Sequence, residues 1–157
     1  NARVVAVDTN AWRCERARTL GAEIVCGPGE APDVVNEMTS GLGIDAAVDC
    51  SGAPPAHRLC IDALRRRGRM AFVGESGGDT TIKVSQDMIR KGITLHGSWH
   101  YNLSGFPKLM GTIRRNAEKL DILISHRFDL DDVQKAWELQ ADGACAKVIL
   151  KPWGIDV

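Results

Sequence analysis

The 157-residue sequence lacks several features that would place a protein in a broad class at once. It has no excess of charge, because 20 basic residues balance 20 acidic ones, so no nucleic-acid partner is predicted. No apolar run is long enough to span a bilayer and no signal peptide is visible, so we expect a cytoplasmic location without a membrane partner. The five cysteines include no Cys-x-x-Cys pair, which argues against a disulfide framework and against a cysteine-rich zinc site.

Patterns of catalytic and metal-binding residues are also missing. None of the four histidines has metal-ligand spacing with another histidine or with a cysteine. His57 is expected on the surface of a helix, His96 within a strand, and His100 at the end of a strand, where it could touch a ligand. No Ser-His-Asp arrangement and no pair of carboxylates stands out. The sequence therefore predicts neither a catalytic residue nor a metal ligand within this chain.

The sequence does contain an alternation of short apolar strands with helices. Strands are predicted at 3–8, 24–26, 46–49, 70–73 and 93–99, with helices between them at 10–21, 34–38, 54–68 and 85–90. Such an alternation is typical of a parallel sheet covered by helices on both faces. Gly68 is expected to end the third helix, which places the run Arg65-Arg66-Arg67 at its solvated end. A short edge strand is expected at 81–84.

The pattern changes near residue 100, where the alternation stops. A longer amphipathic helix is predicted from Phe106 to Leu120, followed by a strand at 122–128. Asp131 is expected to cap a further helix, and a final strand is predicted at 147–150. We therefore expect two packing units, 1–100 and 101–157.

Asp8 is the most informative single residue, because it ends an apolar strand and precedes a helix. In nucleotide-binding βαβ units, an acid at this place binds the adenosine ribose hydroxyls and repels a 2′-phosphate, which favours NAD over NADP. The alternative is that Asp8 only caps the helix, and Arg13 could lie over the adenosine or be solvated. The glycine fingerprint of such a unit would lie before Asn1. We therefore expect the first βα unit of a longer protein to be missing here.

Two glycine runs imitate a phosphate-binding loop. The run from Gly41 to Ala46 matches G-x-G-x-x-A, but it precedes a strand instead of following one, so it cannot form the strand-to-helix cradle. The run Gly27-Pro28-Gly29 does follow a strand, but Pro28 lacks an N–H donor and Pro32 occupies the sixth position. Neither run is expected to bind phosphate.

Two further loops lie where an open α/β sheet binds its ligand. The segments Asp49-Cys50-Ser51-Gly52 and Val73-Gly74-Glu75 follow successive predicted strands at their carboxyl ends. Either segment alone could be an ordinary turn. Their occurrence together favours a ligand cleft, since glycine allows a ring to approach the backbone.

At this point the sequence resembles the C-terminal part of the zinc-dependent medium-chain alcohol and polyol dehydrogenases. The resemblance covers essentially the whole chain and keeps the order and spacing of the family. Seven segments carry it: VVAVD (4–8), LGAEIV (20–25), DAAVDCSG (45–52), GRMAFVGE (68–75), IRKGITLHGSW (89–99), SHRFDLDD (125–132) and AKVILKP (146–152).

The resemblance implies NAD as the cofactor and a set of residues that would bind it. Those residues are Asp8 with Arg13 nearby at the adenosine ribose, Cys50 and Ser51 in the cleft, Val73, Gly74 and Glu75 beside the nicotinamide and its ribose, Ser98 and His100 at the carboxamide through backbone groups, and Lys147 at the pyrophosphate. The zinc ligands and most of the pocket for an alcohol or polyol substrate would lie in an N-terminal catalytic domain outside this chain. The chain alone is therefore expected to have little or no activity.

The implied fold is a Rossmann-like, doubly wound parallel sheet that lacks its first strand, followed by a C-terminal segment that returns to the catalytic domain. In the strand order 3-2-1-4-5-6 the first strand is central, so its absence exposes ladder groups on both neighbours. The gap would be filled by a missing segment, by direct pairing of the two neighbours, or by another chain. A homodimer or tetramer would form through the strands near 81–84 and 94–99. Two alternatives stay open, a zinc-free quinone or enoyl reductase of the same superfamily and a non-catalytic oligomerisation module.

Overall fold

The computed structural model describes residues 2–100 and 102–153, and in them short parallel strands alternate with helices. The elements, in chain order, are β1 (Val5–Val7), α1 (Ala11–Leu20), β2 (Ile24–Cys26), α2 (Ala31–Thr39), β3 (Ile44–Asp49), α3 (Pro54–Ala63), β4 (Leu64–Phe72), a π-helical turn (Val84–Ile89), β5 (Thr94–Gly97), α4 (Phe106–Arg115), α5 (Ala117–Asp121), β6 (Ile124–Asp129), α6 (Val133–Ala141) and β7 (Lys147–Lys151). None of the helices in these two ranges is both long enough and apolar enough to cross a bilayer.

The strands form three parallel groups. β1 pairs with β2, β3 pairs with β4 and β4 with β5, and β6 pairs with β7. Within the described residues β1 and β3 do not pair with each other. In the order 3-2-1-4-5-6, β1 and β2 correspond to strands 2 and 3, and β3, β4 and β5 correspond to strands 4, 5 and 6. The break therefore falls at the place of the first strand, and its two neighbours do not close the gap directly.

The main core lies between α3 and one face of the β3–β4–β5 sheet. Ile61 of α3 and Met70 of β4 are fully buried, and Leu64 and Ile93 are buried beside them. Burial of a side chain of this size contributes about 1.5–3 kcal/mol. The parallel register places Val48, Ala71 and His96 on the opposite face, where Val48 and His96 are exposed.

Local sequence signals explain the ends of α1. The Asn10 side chain accepts hydrogen bonds from the backbone N–H groups of Trp12 and Arg13, which caps the helix. Gly21 ends it with a φ of 99°, a left-handed conformation that favours glycine. The expected helix at 10–21 is thus confirmed.

The third helix ends earlier than the sequence predicts. α3 stops at Ala63 and β4 begins at Leu64, so Gly68 does not end the helix and the arginine run does not lie at its end. Lys91 makes this early end possible, because its Nζ donates to the carbonyls of Ile61, Asp62 and Leu64 at 2.9, 3.0 and 3.1 Å. An ammonium group there satisfies carbonyls that the helix leaves without a partner. The arginine run instead lies in β4, within an irregularity between Leu64 and Arg69.

Three further expectations from the sequence are wrong. The edge strand expected at 81–84 is absent, because residues 81–83 form no strand and Val84 begins the π-helical turn. Asp87 of that turn accepts the Lys83 N–H at 2.8 Å. The long helix breaks at Asn116, whose side-chain amide donates to the Thr112 carbonyl at 2.8 Å and competes with the helical backbone. Asp131 lies in a 3₁₀ turn and does not cap α6. The division at residue 100 stays a prediction.

Candidate functional site

The carboxyl ends of β3, β4 and β5 meet at one edge of their sheet. The Asp49 carbonyl accepts the N–H groups of Val73 and Gly74 at 2.9 and 3.1 Å, and the Phe72 carbonyl accepts the Ser98 N–H at 2.9 Å. These bonds extend the parallel ladder beyond the strands. As a result, the segments that follow the three strands lie side by side, as expected for an α/β ligand site.

A shallow pocket of about 290 Å³ lies at this edge. Four of the predicted site residues, Val73, Gly74, Glu75 and Ser98, line it together. The remaining lining comes from Phe72, Gly97 and Trp99. Cys50 and Ser51 are exposed in the adjacent segment after β3. The structure thus brings Val73, Gly74, Glu75 and Ser98 of the predicted set together at one pocket.

Gly52 and Gly74 bring two backbone segments into direct contact. A Cβ on Gly74 would overlap the backbone nitrogen of Gly52, and it would lie 2.7 Å from backbone atoms of Cys50 and Ser51. A Cβ on Gly52, which has a φ of 70°, would overlap the Glu75 carbonyl. Both positions therefore require glycine. The result is a direct backbone contact between the two segments, beside which Gly74 lines the pocket without a side chain.

Asp49 organises the loop after β3, a role that the sequence analysis did not assign. Its buried carboxylate accepts the Ser51 hydroxyl at 2.7 Å, the Ser51 and Gly52 N–H groups at 3.2 and 2.9 Å, and lies 3.2 Å from Nε2 of His57. Burial alone would raise the pKa of Asp49, but these hydrogen bonds and His57 outweigh it and lower the pKa. The signal was the Asp-x-Ser-Gly order, which is typical of an Asx turn.

His57 is buried, so its predicted place on the helix surface is wrong. Its Nδ1 lies 2.6 Å from the Thr80 hydroxyl, its Nε2 faces Asp49, and its ring meets Phe72 edge-on at 5.0 Å. His57 precedes the fully buried Ile61 by four residues, which puts both on one helix face. That spacing was the signal that could have located it.

One of the two carboxylate oxygens of Asp8 accepts a hydrogen bond. Oδ1 accepts the Asn10 N–H at 2.9 Å, whereas Oδ2 has no hydrogen-bond partner among residues 2–100 and 102–153. Asn10, not Asp8, is the residue that caps α1. Arg13 is exposed, and the guanidinium that lies over the Trp12 ring, at 3.5 Å, belongs to Arg16. The ribose role of Asp8 and the adenosine role of Arg13 stay predictions.

The remaining predicted residues lie outside the pocket lining of the described chain. His100 is exposed, has a φ of 53° and packs its ring against Trp99 at 4.4 Å. Lys147 begins β7, where its N–H donates to the Leu123 carbonyl at 2.8 Å. Their carboxamide and pyrophosphate roles stay predictions.

The glycine run from Gly41 lies in a turn between α2 and β3, as its position before a strand predicts. The Gly41 N–H donates to the Asn36 carbonyl at 2.8 Å and closes α2, and the Gly43 N–H donates to the Thr39 hydroxyl at 3.0 Å. In the described ranges, no three His, Cys, Asp or Glu side chains are placed to hold a metal ion. These residues therefore do not fit a zinc site.

Parallel βαβ units with a glycine-lined ligand edge define a Rossmann-like α/β domain, and the comparisons with known proteins agree. The family model described as zinc-binding dehydrogenase matches residues 1–115. The chain belongs to this zinc-binding dehydrogenase family, as its resemblance to the C-terminal part of such enzymes indicated.

Individual relatives show how much of such a protein the chain represents. L-threonine 3-dehydrogenase of Caldanaerobacter subterraneus is 32% identical over 161 residues, which cover 96% of this chain and 45% of that protein. Among solved structures, an alcohol dehydrogenase of Thermotoga maritima has a TM-score of 0.88 at 27% identity, and the match covers 95% of this chain and 43% of that one. For 2R,3R-butanediol dehydrogenase of Bacillus subtilis the TM-score is 0.82 at 25% identity, with 96% and 44% covered. The chain thus spans a little under half the length of these relatives.

Proposed function

We propose that the complete protein is an NAD-dependent, zinc-dependent dehydrogenase of a secondary alcohol or polyol, and that this chain supplies most of its cofactor-binding domain. The contact between Gly52 and Gly74 beside the pocket carries this proposal. The contact fixes two segments at the carboxyl ends of neighbouring parallel strands, which is where an open α/β sheet binds its ligand, and Gly74 lines the pocket there without a side chain.

The segments 50–52 and 73–75, together with Ser98, would hold the nicotinamide half of the cofactor. When bound, NAD accepts a hydride from the alcohol carbon. Val73 is half exposed at the pocket and offers an apolar surface to the ring. Asp49 fixes the backbone of Ser51 and Gly52, so this part of the site is ordered before the ligand arrives.

Asp8 supports NAD as the cofactor in preference to NADP. Its Oδ2 accepts no hydrogen bond from residues 2–100 and 102–153, so a ribose hydroxyl could donate to it. A 2′-phosphate placed at the same carboxylate would bring two negative charges together, which is unfavourable. Asp8→Ala should therefore weaken NADH binding more than NADPH binding.

Zinc and the catalytic groups are proposed to lie in the part of the relatives that this chain does not span. The family description supports zinc, while the described residues supply no metal site. The names of two relatives refer to L-threonine and 2R,3R-butanediol, which both carry a secondary alcohol. This supports the substrate class without selecting one compound.

Assembly is proposed to use the outer edge of β5. Among residues 2–100 and 102–153, this last strand of the order β3–β4–β5 pairs on one side only, so Thr94–Gly97 presents backbone groups that these residues do not pair. A second copy of the protein could continue the sheet there and form a dimer. Because residues 81–84 form no strand, the edge expected at 81–84 is not part of this proposal.

The test is a fluorescence titration of the full-length natural protein with NADH and NADPH, with zinc content and sedimentation measured on the same sample. We expect tighter NADH binding, bound zinc and a dimer or tetramer, and little activity from the 157-residue chain alone. Tighter NADPH binding without zinc would favour a quinone or enoyl reductase. A stable oligomer that binds neither nucleotide would favour a non-catalytic module.

A further inference from the structure

We infer that His57 is a positioning residue that ties together the two loops that flank the candidate cofactor pocket. The loops are those after β3, which begins at Cys50, and after β4, which extends from Val73 to Thr80. The inference rests on the proposed function, because it assigns His57 a role in nucleotide affinity. His57 itself is buried beneath both loops and is absent from the pocket lining.

The first link runs through Asp49. Its Oδ1 accepts both the hydroxyl and the N–H of Ser51, and its Oδ2 accepts the Gly52 N–H and faces Nε2 of His57. A carboxylate accepts about four hydrogen bonds, so every site on Asp49 is filled. Removing the imidazole would leave a buried oxygen short of a donor at the atom that orients Gly52. Because the site is shielded from water, the loss of this donor destabilises the folded arrangement of the loop.

The second link runs through Thr80. Its hydroxyl lies 2.6 Å from Nδ1 of His57, at the far end of the segment that starts with Val73. Between these ends the segment contains Gly77 and Gly78, where flexible backbone is expected. Its near end is held by the contact between Gly74 and Gly52, which depends on Asp49. One imidazole therefore supports both ends.

Imidazole can serve both links from this place on the helix. When neutral, it can donate from Nε2 to Asp49 and accept at Nδ1 from Thr80; when protonated, it can donate from both nitrogens. Arg58, the next residue on α3, adds a longer contact of 3.3 Å to the Thr81 carbonyl, so removal of His57 should loosen the segment without releasing it.

Four variants of the full-length protein separate the links. His57→Phe removes both hydrogen bonds and keeps a ring against Phe72. His57→Gln can keep a donor near the position of Nε2, and Thr80→Val removes only the second link. Ile61→Val, one turn further along α3, is the matched control, since it trims a fully buried side chain of a core whose members include no residue of either loop.

The primary measurement is the Kd for NADH. We expect His57→Phe to weaken binding about tenfold, which corresponds to about 1.4 kcal/mol. His57→Gln and Thr80→Val should each weaken it a few-fold, and Ile61→Val should leave it unchanged despite lower stability. A His57→Phe protein that binds NADH as tightly as Ile61→Val would overturn the inference and leave the proposed function standing.

Hydrogen exchange without nucleotide gives a readout that does not need cofactor binding. Segment 73–80 should exchange faster in His57→Phe than in Ile61→Val, and addition of NADH should slow the exchange of this segment in the wild type. Equal exchange in the two variants would overturn the tether. If the wild type binds no NADH, both the positioning role and the proposed function are overturned, whatever the exchange shows.

Discussion

The two faces of the β3–β4–β5 sheet differ sharply. On one face α3 buries Met70 completely against Ile61, whereas on the other face Val48 is 61% exposed and His96 is also exposed. Parallel sheets are normally covered on both faces, so the described residues complete only one of them. The comparison shows where this part of the chain obtains its stability. It also shows that His57, which is linked to both loops at the edge of the sheet, reaches them from the α3 side.

The largest contrast is expected between two alanine substitutions, one on each side of the sheet. Ile61→Ala should lower the free energy of unfolding by about 2–5 kcal/mol, because it leaves a cavity beneath α3. Val48→Ala, on the open face, should change it by no more than about 0.5 kcal/mol. Urea unfolding followed by circular dichroism measures both. Similar losses for the two variants would mean that the open face is covered in solution.

A second contrast concerns two glycines at the supported edge. Gly74→Ala should cost about 1–3 kcal/mol, because the new methyl group meets backbone atoms that cannot move aside as a side chain could. Gly77→Ala is the matched control, since a Cβ there has nothing within 4 Å. Gly74→Ala should also reduce NADH binding by the full-length protein. A Gly74→Ala protein as stable as Gly77→Ala would show that the two loops do not touch.

A large part of the fold could be predicted because its strands are short and apolar and its helices carry clear end signals. The strand at Ile24–Cys26 and the end of α1 at Gly21 can be predicted from the local sequence, without knowledge of tertiary contacts. The end of α3 could not be predicted, because it depends on Lys91, which comes 28 positions after Ala63 in the chain. The break at Asn116 depends on one side-chain bond that competes with the helix.

The loops of the candidate site could be predicted from the sequence, but the hydrogen bonds that hold these loops in place could not. The loops after β3 and β4 have glycines at strand ends, a signal that is local in the sequence. The hydrogen bonds from Asp49 through His57 to Thr80 join β3, α3 and the segment after β4. They depend on how these parts pack, which the sequence does not give. On the adenosine side, the predicted binding of the ribose by Asp8 stays a prediction.

The next contrast uses pH on two aspartates of the same strand. The pKa of Asp49 is lower in the folded state than its unfolded value of about 3.9, so its carboxylate stabilises the fold above that pH and the contribution is lost as the pH falls through the folded pKa. Asp49→Asn should therefore cost about 1–3 kcal/mol at pH 7 and progressively less below about pH 4.

Asp45→Asn is the control for this experiment. Asp45 pairs with Arg65 at 2.6 Å, but its side chain is 83% exposed, and such surface pairs contribute about 0–1 kcal/mol. Urea midpoints from pH 7 down to pH 3 would compare the two variants with the wild type. A deficit in Asp49→Asn that stays constant over this range would show that the carboxylate charge of Asp49 is not what stabilises the loop.

The smallest expected effect is a difference in thiol reactivity between the covered face and the edge above it. Burial, helped by the charge of Asp49, raises the pKa of Cys60 to about 11, so about one thiol in a thousand is ionised at pH 8. Cys50 is exposed at the candidate site and should react with iodoacetamide well before Cys60. Peptide mass spectrometry over a time course would measure both rates in one sample, with the buried Cys145 as an internal control.

NADH should slow the labelling of Cys50 alone in the full-length protein. Labelling of Cys60 as fast as Cys50 would mean that α3 does not hold its face of the sheet closed.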